Sequence, residues 1–120
     1  MSVDLEITGA SNATIRGTKG TCTLSKSIGN SYDIEGADDP DALGPNGAFS
    51  LRVGTRMGDR VEPPDIKLVI GSSGYLTGSD VAGIQSNPEG TVVNLNQGAS
   101  GSTNGGPMQS VLIRGTIRCG

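Results

Sequence analysis

The most regular feature of the chain is a series of short segments in which apolar and polar residues alternate. Near the start, Val3, Leu5 and Ile7 are separated by Asp4 and Glu6. A period of two is typical of a β-strand with one buried face and one solvated face. The pattern predicts about seven short strands, at residues 3–8, 14–26, 31–35, 49–53, 65–71, 91–96 and 110–119.

The segment 14–26 changes the parity of its apolar positions. Its apolar side is Ile15 at the beginning but Cys22 and Leu24 later, a switch from odd-numbered to even-numbered positions. A continuous strand can change parity only through a β-bulge, and glycine accommodates a bulge most easily. We therefore expect a bulge near Gly17 or Gly20.

Three segments between these strands are read as irregular. Residues 38–47 form a predicted loop that ends in the turn signal Pro45-Asn46-Gly47. The pattern in residues 72–90 is weak, and residues 79–84 are interpreted as a short helical turn capped by Ser79. Residues 98–107 are rich in Gly, Ser and Asn, which favours a flexible connector, with a binding loop at 98–106 as the alternative.

Composition agrees with an all-β fold. Twenty glycines and six prolines in 120 residues exclude a bundle of long helices, and the glycines lack a three-residue period. The chain is predicted to be a single domain over residues 1–120, a β-sandwich or a partly open barrel. The expected core, at the contact between two sheets, is Val3, Leu5, Ile7, Phe49, Leu51, Val53, Ile66, Leu68, Val111, Ile113 and Ile117.

The two cysteines are candidates for a disulfide that supports this core. With one Phe, two Tyr and no Trp, the interior depends on aliphatic side chains. A Cys22–Cys119 bridge would close a long loop, which is worth about 4–5 kcal/mol in the chain-entropy model. The alternative is two free buried thiols in a cytosolic protein. An even cysteine count in a short Gly/Ser/Thr-rich chain favours an oxidising compartment.

Charge and hydropathy limit the classes of partner. The formal net charge of −3 argues against nucleic acid and against a strongly cationic membrane-binding surface. The sequence contains no signal peptide and no apolar run of transmembrane length. If the protein is exported, we expect this chain to be the processed mature domain.

The residues give little support for catalysis or for a cofactor. The absence of histidine removes the commonest general base and metal ligand. Motifs for an activated serine, a nucleotide cradle or a zinc site are also absent, so we predict no enzymatic activity, no cofactor and no metal. Two weaker hypotheses concern the acidic residues: Asp33 and Glu35 as a paired-carboxylate site, and residues 33–41 as a calcium loop. For both, a solvated acidic surface is the simpler interpretation.

Two further surface features are noted. The basic residues Arg16, Lys19, Arg52, Arg56, Arg114 and Arg118 fall mostly on outward-facing strand positions. They would form a basic stripe if their strands are neighbours, although charge that protects strand edges explains them equally well. Asn12-Ala13-Thr14 matches a glycosylation acceptor.

Three stretches resemble a known family. They are residues 3–9 (VDLEITG), residues 14–22 (TIRGTKGTC) and residues 31–36 (SYDIEG), together with the ending Ile-Arg-Cys at 117–119. In order and cysteine placement they resemble the small mycobacterial lipoprotein antigens of the LpqH type. The resemblance covers roughly the first forty and the last thirty residues. It implies an envelope lipoprotein attached through an acylated N-terminal cysteine, which is not in this chain.

These observations together predict a non-enzymatic extracytoplasmic domain of a cell envelope, either a lipoprotein antigen or a binding module. Its partner would be a protein or an envelope component, and membrane attachment would depend on an anchor outside this chain. The rival prediction is a structural domain of a virion or other assembly, either capsid-decorating or from a tail.

Overall fold

The computed structural model describes residues 1–18, 20–34, 47–71, 73–102 and 106–119. These residues contain strands, turns and bends but no helix. The strands are β1 (Ser2–Gly9), β2 (Ala13–Gly17), β3 (Thr21–Thr23), β4 (Asn30–Ile34), β5 (Ala48–Val53), β6 (Arg56–Met57), β7 (Arg60–Val61), β8 (Asp65–Ile70), β9 (Ser73–Leu76), β10 (Ile84–Ser86), β11 (Val92–Ser102) and β12 (Met108–Arg118).

Ten of these strands form one curled antiparallel sheet, and β6 and β7 form a separate hairpin. The order along the sheet is β2-β1-β12-β11-β9-β8-β5-β4-β3, with β10 paired to β11 beside this path. The all-β prediction is confirmed, and the architecture is a half-barrel. The predicted contact between two separate sheets is wrong, because a single sheet folds its inner face onto itself.

The predicted number of strands, about seven, is also too low. Twelve strands are present among the described residues. The extra strands come from the segment 14–26, which contains two strands, from the segment 72–90, and from the hairpin at 56–61. Strands of two to four residues are too short to show a clear alternation, so the sequence pattern misses them.

The expected bulge in residues 14–26 is a break between two strands. β2 ends at Gly17 and pairs with β1, whereas β3 begins at Thr21 and pairs with β4. The two strands lie at opposite edges of the main sheet. The apolar residues do switch from odd-numbered to even-numbered positions in this segment, but the cause is that the chain passes from one edge of the sheet to the other.

β11 is the strand at which the sheet turns. On one side it pairs with β12 along its whole length, from Val92 to Ser102. On the other side its first half pairs with β10 and its second half meets β9. A side chain at Gly101 would collide with the carbonyl oxygen of Gly74, so glycine allows β9 to approach this closely.

Two predictions about irregular segments are corrected here. The predicted loop at 98–107 is strand as far as Ser102, because β12 supplies backbone partners for its glycines. Within that loop, residues 103–105 lie outside the described residues. The predicted helical turn at 79–84 is an irregular loop, and the side chain of Gln97 holds it in place. The Gln97 amide donates to the Asp80 carbonyl over 2.6 Å and accepts from the Gly83 amide over 3.1 Å.

The inner face of the sheet forms the core. Ten of the eleven predicted core residues are buried, and Val53 is half-buried at the end of β5. Eight further hydrophobic residues complete the core: Ile15, Tyr32, Ile34, Tyr75, Ile84, Val93, Leu95 and Ala99. All three aromatic rings of the chain are therefore inside.

Three contacts join parts of the sheet that are far apart in strand order. The Cys22–Cys119 disulfide connects β3 to the end of β12, with the two Cα atoms 6.1 Å apart. The Tyr32 hydroxyl donates to the carbonyl oxygen of Gly90 over 2.6 Å, and the hydroxyls of Ser11 and Tyr75 are also 2.6 Å apart. Together these contacts fix the curvature of the sheet.

The last strand provides a direct test of which face is inside. We expect Ile113→Ala to lower the free energy of unfolding by about 2–5 kcal/mol, because its side chain is fully buried in the core. The matched control is Leu112→Ala on the opposite face, whose side chain is 36% exposed and should cost no more than about 0.5 kcal/mol. Denaturant titrations of both variants provide the comparison. Equal losses would show that the assigned facing is wrong.

Tyr32 predicts a pH dependence of stability. Burial raises the pKa of Tyr32 above its ordinary value of 10.0. Above about pH 10 the unfolded chain therefore loses this proton before the folded protein does, so this stability is present below pH 10 and is lost as pH rises through the folded-state pKa. We expect the free energy of unfolding to decline less for Tyr32→Phe than for wild type between about pH 8 and about pH 11, which lie below and above the ordinary tyrosine pKa. Urea titrations at these two pH values measure the decline. Parallel declines in the two proteins would contradict this assignment.

Candidate functional site

The acidic residues proposed as a catalytic pair or a calcium loop are mostly outside the described part of the chain. Asp33 lies on β4, is half-exposed, and has Thr21 and Ser50 as its strand neighbours. Glu35 and the rest of the loop to residue 41 are not among the described residues. Within the described residues, no three His, Cys, Asp or Glu side chains form a group suitable for a metal ion. Both hypotheses therefore stay predictions.

The predicted basic stripe is divided between the two halves of the sheet. Arg16, Arg114 and Arg118 are exposed on the outer face of β2 and β12, which flank β1. Arg52 lies on β5, in the other half of the sheet, and Arg56 lies on β6, in the separate hairpin. Lys19 is outside the described residues. Only the first three basic residues thus share one surface.

That surface contains an open depression of about 830 Å³ on the outer face of β1, β12 and β11, which we call the outer groove. The strand register arranges its polar side chains in two rows across the sheet. One row is Arg16, Asp4, Thr116 and Asn94, and the other is Thr14, Glu6, Arg114 and Asn96.

The polar side chains of the first row already have partners within the row. Nε of Arg16 lies 3.1 Å from Oδ1 of Asp4, and the Thr116 hydroxyl donates to Oδ1 of Asn94 over 3.0 Å. Both members of the ion pair are more than 70% exposed, so water screens their attraction and its contribution to stability is small.

Arg114 and Arg118 differ from Arg16 because neither forms an ion pair with another described residue. They are four residues apart on one strand face, a separation of about 13 Å along the strand. Glycine at position 115, with a φ of +141°, lets β12 approach the Asp4 backbone where a side chain would collide. Among the charged side chains that line the groove, Asp4 is paired with Arg16, which leaves Glu6 beside Arg114 and Arg118. The lining therefore has a small positive excess beside hydroxyl and amide side chains, which suits an acidic, hydrogen-bonding ligand.

The proposed binding loop at 98–106 has a smaller depression beside it. The depression is about 330 Å³ and lies between residues 78–80 and the middle of β11. Its floor is backbone and small side chains, and the Gln97 amide that borders it is already occupied by Asp80 and Gly83. This surface thus offers fewer available polar groups than the outer groove.

The glycosylation acceptor is accessible in the structure. Asn12 is exposed in the turn between β1 and β2, and Thr14 is exposed on the outer face of β2. Exposure is a requirement for modification, so the motif stays a prediction for an exported protein.

The sequence pattern missed one exposed element, the β6–β7 hairpin. Arg56 pairs with Val61 and Met57 pairs with Arg60 around a turn at Gly58-Asp59. A glycine followed by aspartate is a signal for a two-residue hairpin turn, and Gly58 has a φ of +63°. The hairpin places Met57 and Val61 in solvent, with 64% and 56% of their surface exposed.

Comparisons with known proteins identify no relative: no family model, no curated protein and no solved structure matches the chain. The resemblance to the LpqH-type antigens consequently rests on the sequence features alone. Among the described residues, the structure has no helix with the length and apolar character needed to cross a membrane.

Proposed function

We propose that this chain is a non-enzymatic extracytoplasmic domain of a cell envelope that acts as a binding module. The observation that supports this most strongly is the Cys22–Cys119 disulfide, which is consistent with an exported protein. Disulfides form and persist in secreted and surface proteins, whereas the cytosol keeps thiols reduced. The bond joins elements separated by 97 residues, so it contributes to the fold as a whole.

The groove on the outer face is the proposed binding surface. Its polar lining and the two available arginines favour an acidic partner, such as an acidic protein surface or an acidic envelope polymer. Catalysis is not part of the proposal, because the chain lacks histidine and has no recognisable nucleophile motif.

The proposed location can be tested by trapping thiols in the source cells. Intact cells are treated with a maleimide that adds mass to free thiols, and the chain is then detected with and without prior reduction. We expect modification only after reduction, together with cleavage of the chain by a protease added to intact cells.

Two results would contradict this proposal. Modification of both cysteines without reduction would place the chain in a reducing compartment. Recovery of the chain in purified virus particles would instead support the rival function as a structural domain of a virion.

A further inference from the structure

The antiparallel register places several connections at one end of the molecule. The turn at 24–29, the segment 54–64 that contains the hairpin, and the turn at 87–91 lie at this end, together with the beginning of β1 and the end of β12. Two backbone hydrogen bonds join these segments. The Arg56 amide donates to the Ile28 carbonyl over 3.0 Å, and the Cys119 amide, just after β12, donates to the Thr91 carbonyl over 2.8 Å. We call this region the hairpin end.

Exposed aliphatic side chains are concentrated at the hairpin end. Seven large hydrophobic residues are exposed in the described structure, and four of them are here: Leu24, Ile28, Met57 and Val61. Ile28 is the most exposed of the four, at 69%. Leu24 and Ile28 lie in the turn 24–29, and Met57 and Val61 lie on the β6–β7 hairpin, so none of the four belongs to the main sheet. Such a group of apolar side chains indicates an interaction surface.

Charged side chains surround these aliphatic residues. The exposed cations at this end are Lys26, Arg52, Arg56, Arg60 and Arg118. The anions are Asp59, Glu62, Asp65 and Glu89, and of these Glu62 is paired with Arg60 at 3.1 Å. The hairpin end is therefore slightly cationic in a chain whose formal net charge is −3. The charge of the whole chain conceals this asymmetry.

We propose that the hairpin end docks on an anionic lipid bilayer, with Ile28, Met57 and Val61 inserted among the headgroups and the basic side chains contacting lipid phosphates. Exposed aliphatic residues flanked by Lys and Arg are the combination that binds such a surface. A protein interface would favour aromatic anchors, and the three aromatic rings of this chain are all in the core. The two shallow depressions at this end carry both signs of charge: one is lined by Arg52, Met57, Glu62 and Asp65, and the other by Lys26, Arg56 and Glu89.

This docking deepens the proposed envelope function, because it defines which end of the domain faces the membrane. The outer groove begins at this end, where Ser2 and Arg118 line it, and continues along β1 and β12 to Glu6 and Arg114, where a partner can reach it. The biological setting rests on the proposed function, but binding to vesicles does not require export. Failure of the docking proposal is therefore distinguishable from failure of the location proposal.

Vesicle flotation tests the docking with the chain in its disulfide-bonded form. The vesicles are either phosphatidylcholine alone or an equal mixture of phosphatidylcholine and phosphatidylglycerol. We expect wild type to float with the mixed vesicles and to bind more weakly to phosphatidylcholine. Binding should weaken at high salt, since the screening length falls from about 10 Å at 0.1 M to about 3 Å at 1 M.

Two pairs of variants locate the contact. Met57→Ser with Val61→Ser should reduce the fraction bound at least about tenfold, because two aliphatic side chains no longer enter the interface. The matched control is Met108→Ser with Leu112→Ser, at side chains on β12 that are 69% and 36% exposed and lie away from this end. This control should change binding by no more than about twofold.

Charge is tested in the same way. Arg56→Gln with Arg60→Gln should weaken binding to mixed vesicles more than Arg16→Gln with Arg114→Gln does. Each pair removes two exposed cations, one of which belongs to an exposed ion pair.

Absence of wild-type binding to either vesicle would overturn the proposal and leave a protein as the partner of this end. Equal losses in the hairpin and control variants would overturn it as well.

Discussion

A connection of only three residues joins the two opposite edges of the main sheet, and the curled shape follows from it. β2 ends at Gly17 and β3 begins at Thr21, so their ends are at most about 14 Å apart even with a fully extended chain. Nine strands lie along the path from β2 to β3, and a flat sheet of that size would be about 38 Å wide. The sheet must therefore curl until its edges approach each other. The Cys22–Cys119 disulfide then joins one edge covalently to the end of β12.

The curvature explains how a chain with so few aromatic residues buries a core. One inner face collects alternate residues from nearly every strand, and the rings of Tyr32, Phe49 and Tyr75 are all buried on it. The hydroxyls of both tyrosines reach hydrogen-bond partners at the margin of the core. No described buried side-chain polar atom lacks a partner. The outer face carries the charged and amide side chains, including the groove around Arg114.

The strong period-two segments allowed much of the fold to be predicted from sequence. The strands that carry Val3, Phe49, Ile66 and Ile113 were correctly placed and faced, because a slip of one residue would expose a whole apolar set. The identity of the Cys22 partner also followed, since the chain has one other cysteine. The route of the chain from β2 to β3 could not be predicted. A β-bulge within one strand and a break between two strands both shift the apolar residues from odd-numbered to even-numbered positions.

Other features depend on tertiary partners that no local pattern reveals. The glycine-rich half of β11 is a strand because β12 pairs with it, and glycine there permits the approach of β9. The outer groove depends on the adjacency of β1 and β12, which are 116 residues apart where Ser2 meets Arg118, and no local pattern predicts that pairing. The β6–β7 hairpin escapes the sequence pattern because its strands have two residues each. Binding surfaces in this protein are thus products of topology, whereas the core is a product of local patterning.

Amide hydrogen exchange before and after reduction of the disulfide tests the closure of the sheet most directly. If the bond holds the β3 edge against the end of β12, reduction should increase exchange first in β3 and β4. Exchange in β1, β11 and the body of β12 should stay slow, because those strands pair along most of their length. An unchanged exchange rate in β3 and β4, or an increase spread evenly over all strands, would contradict the account.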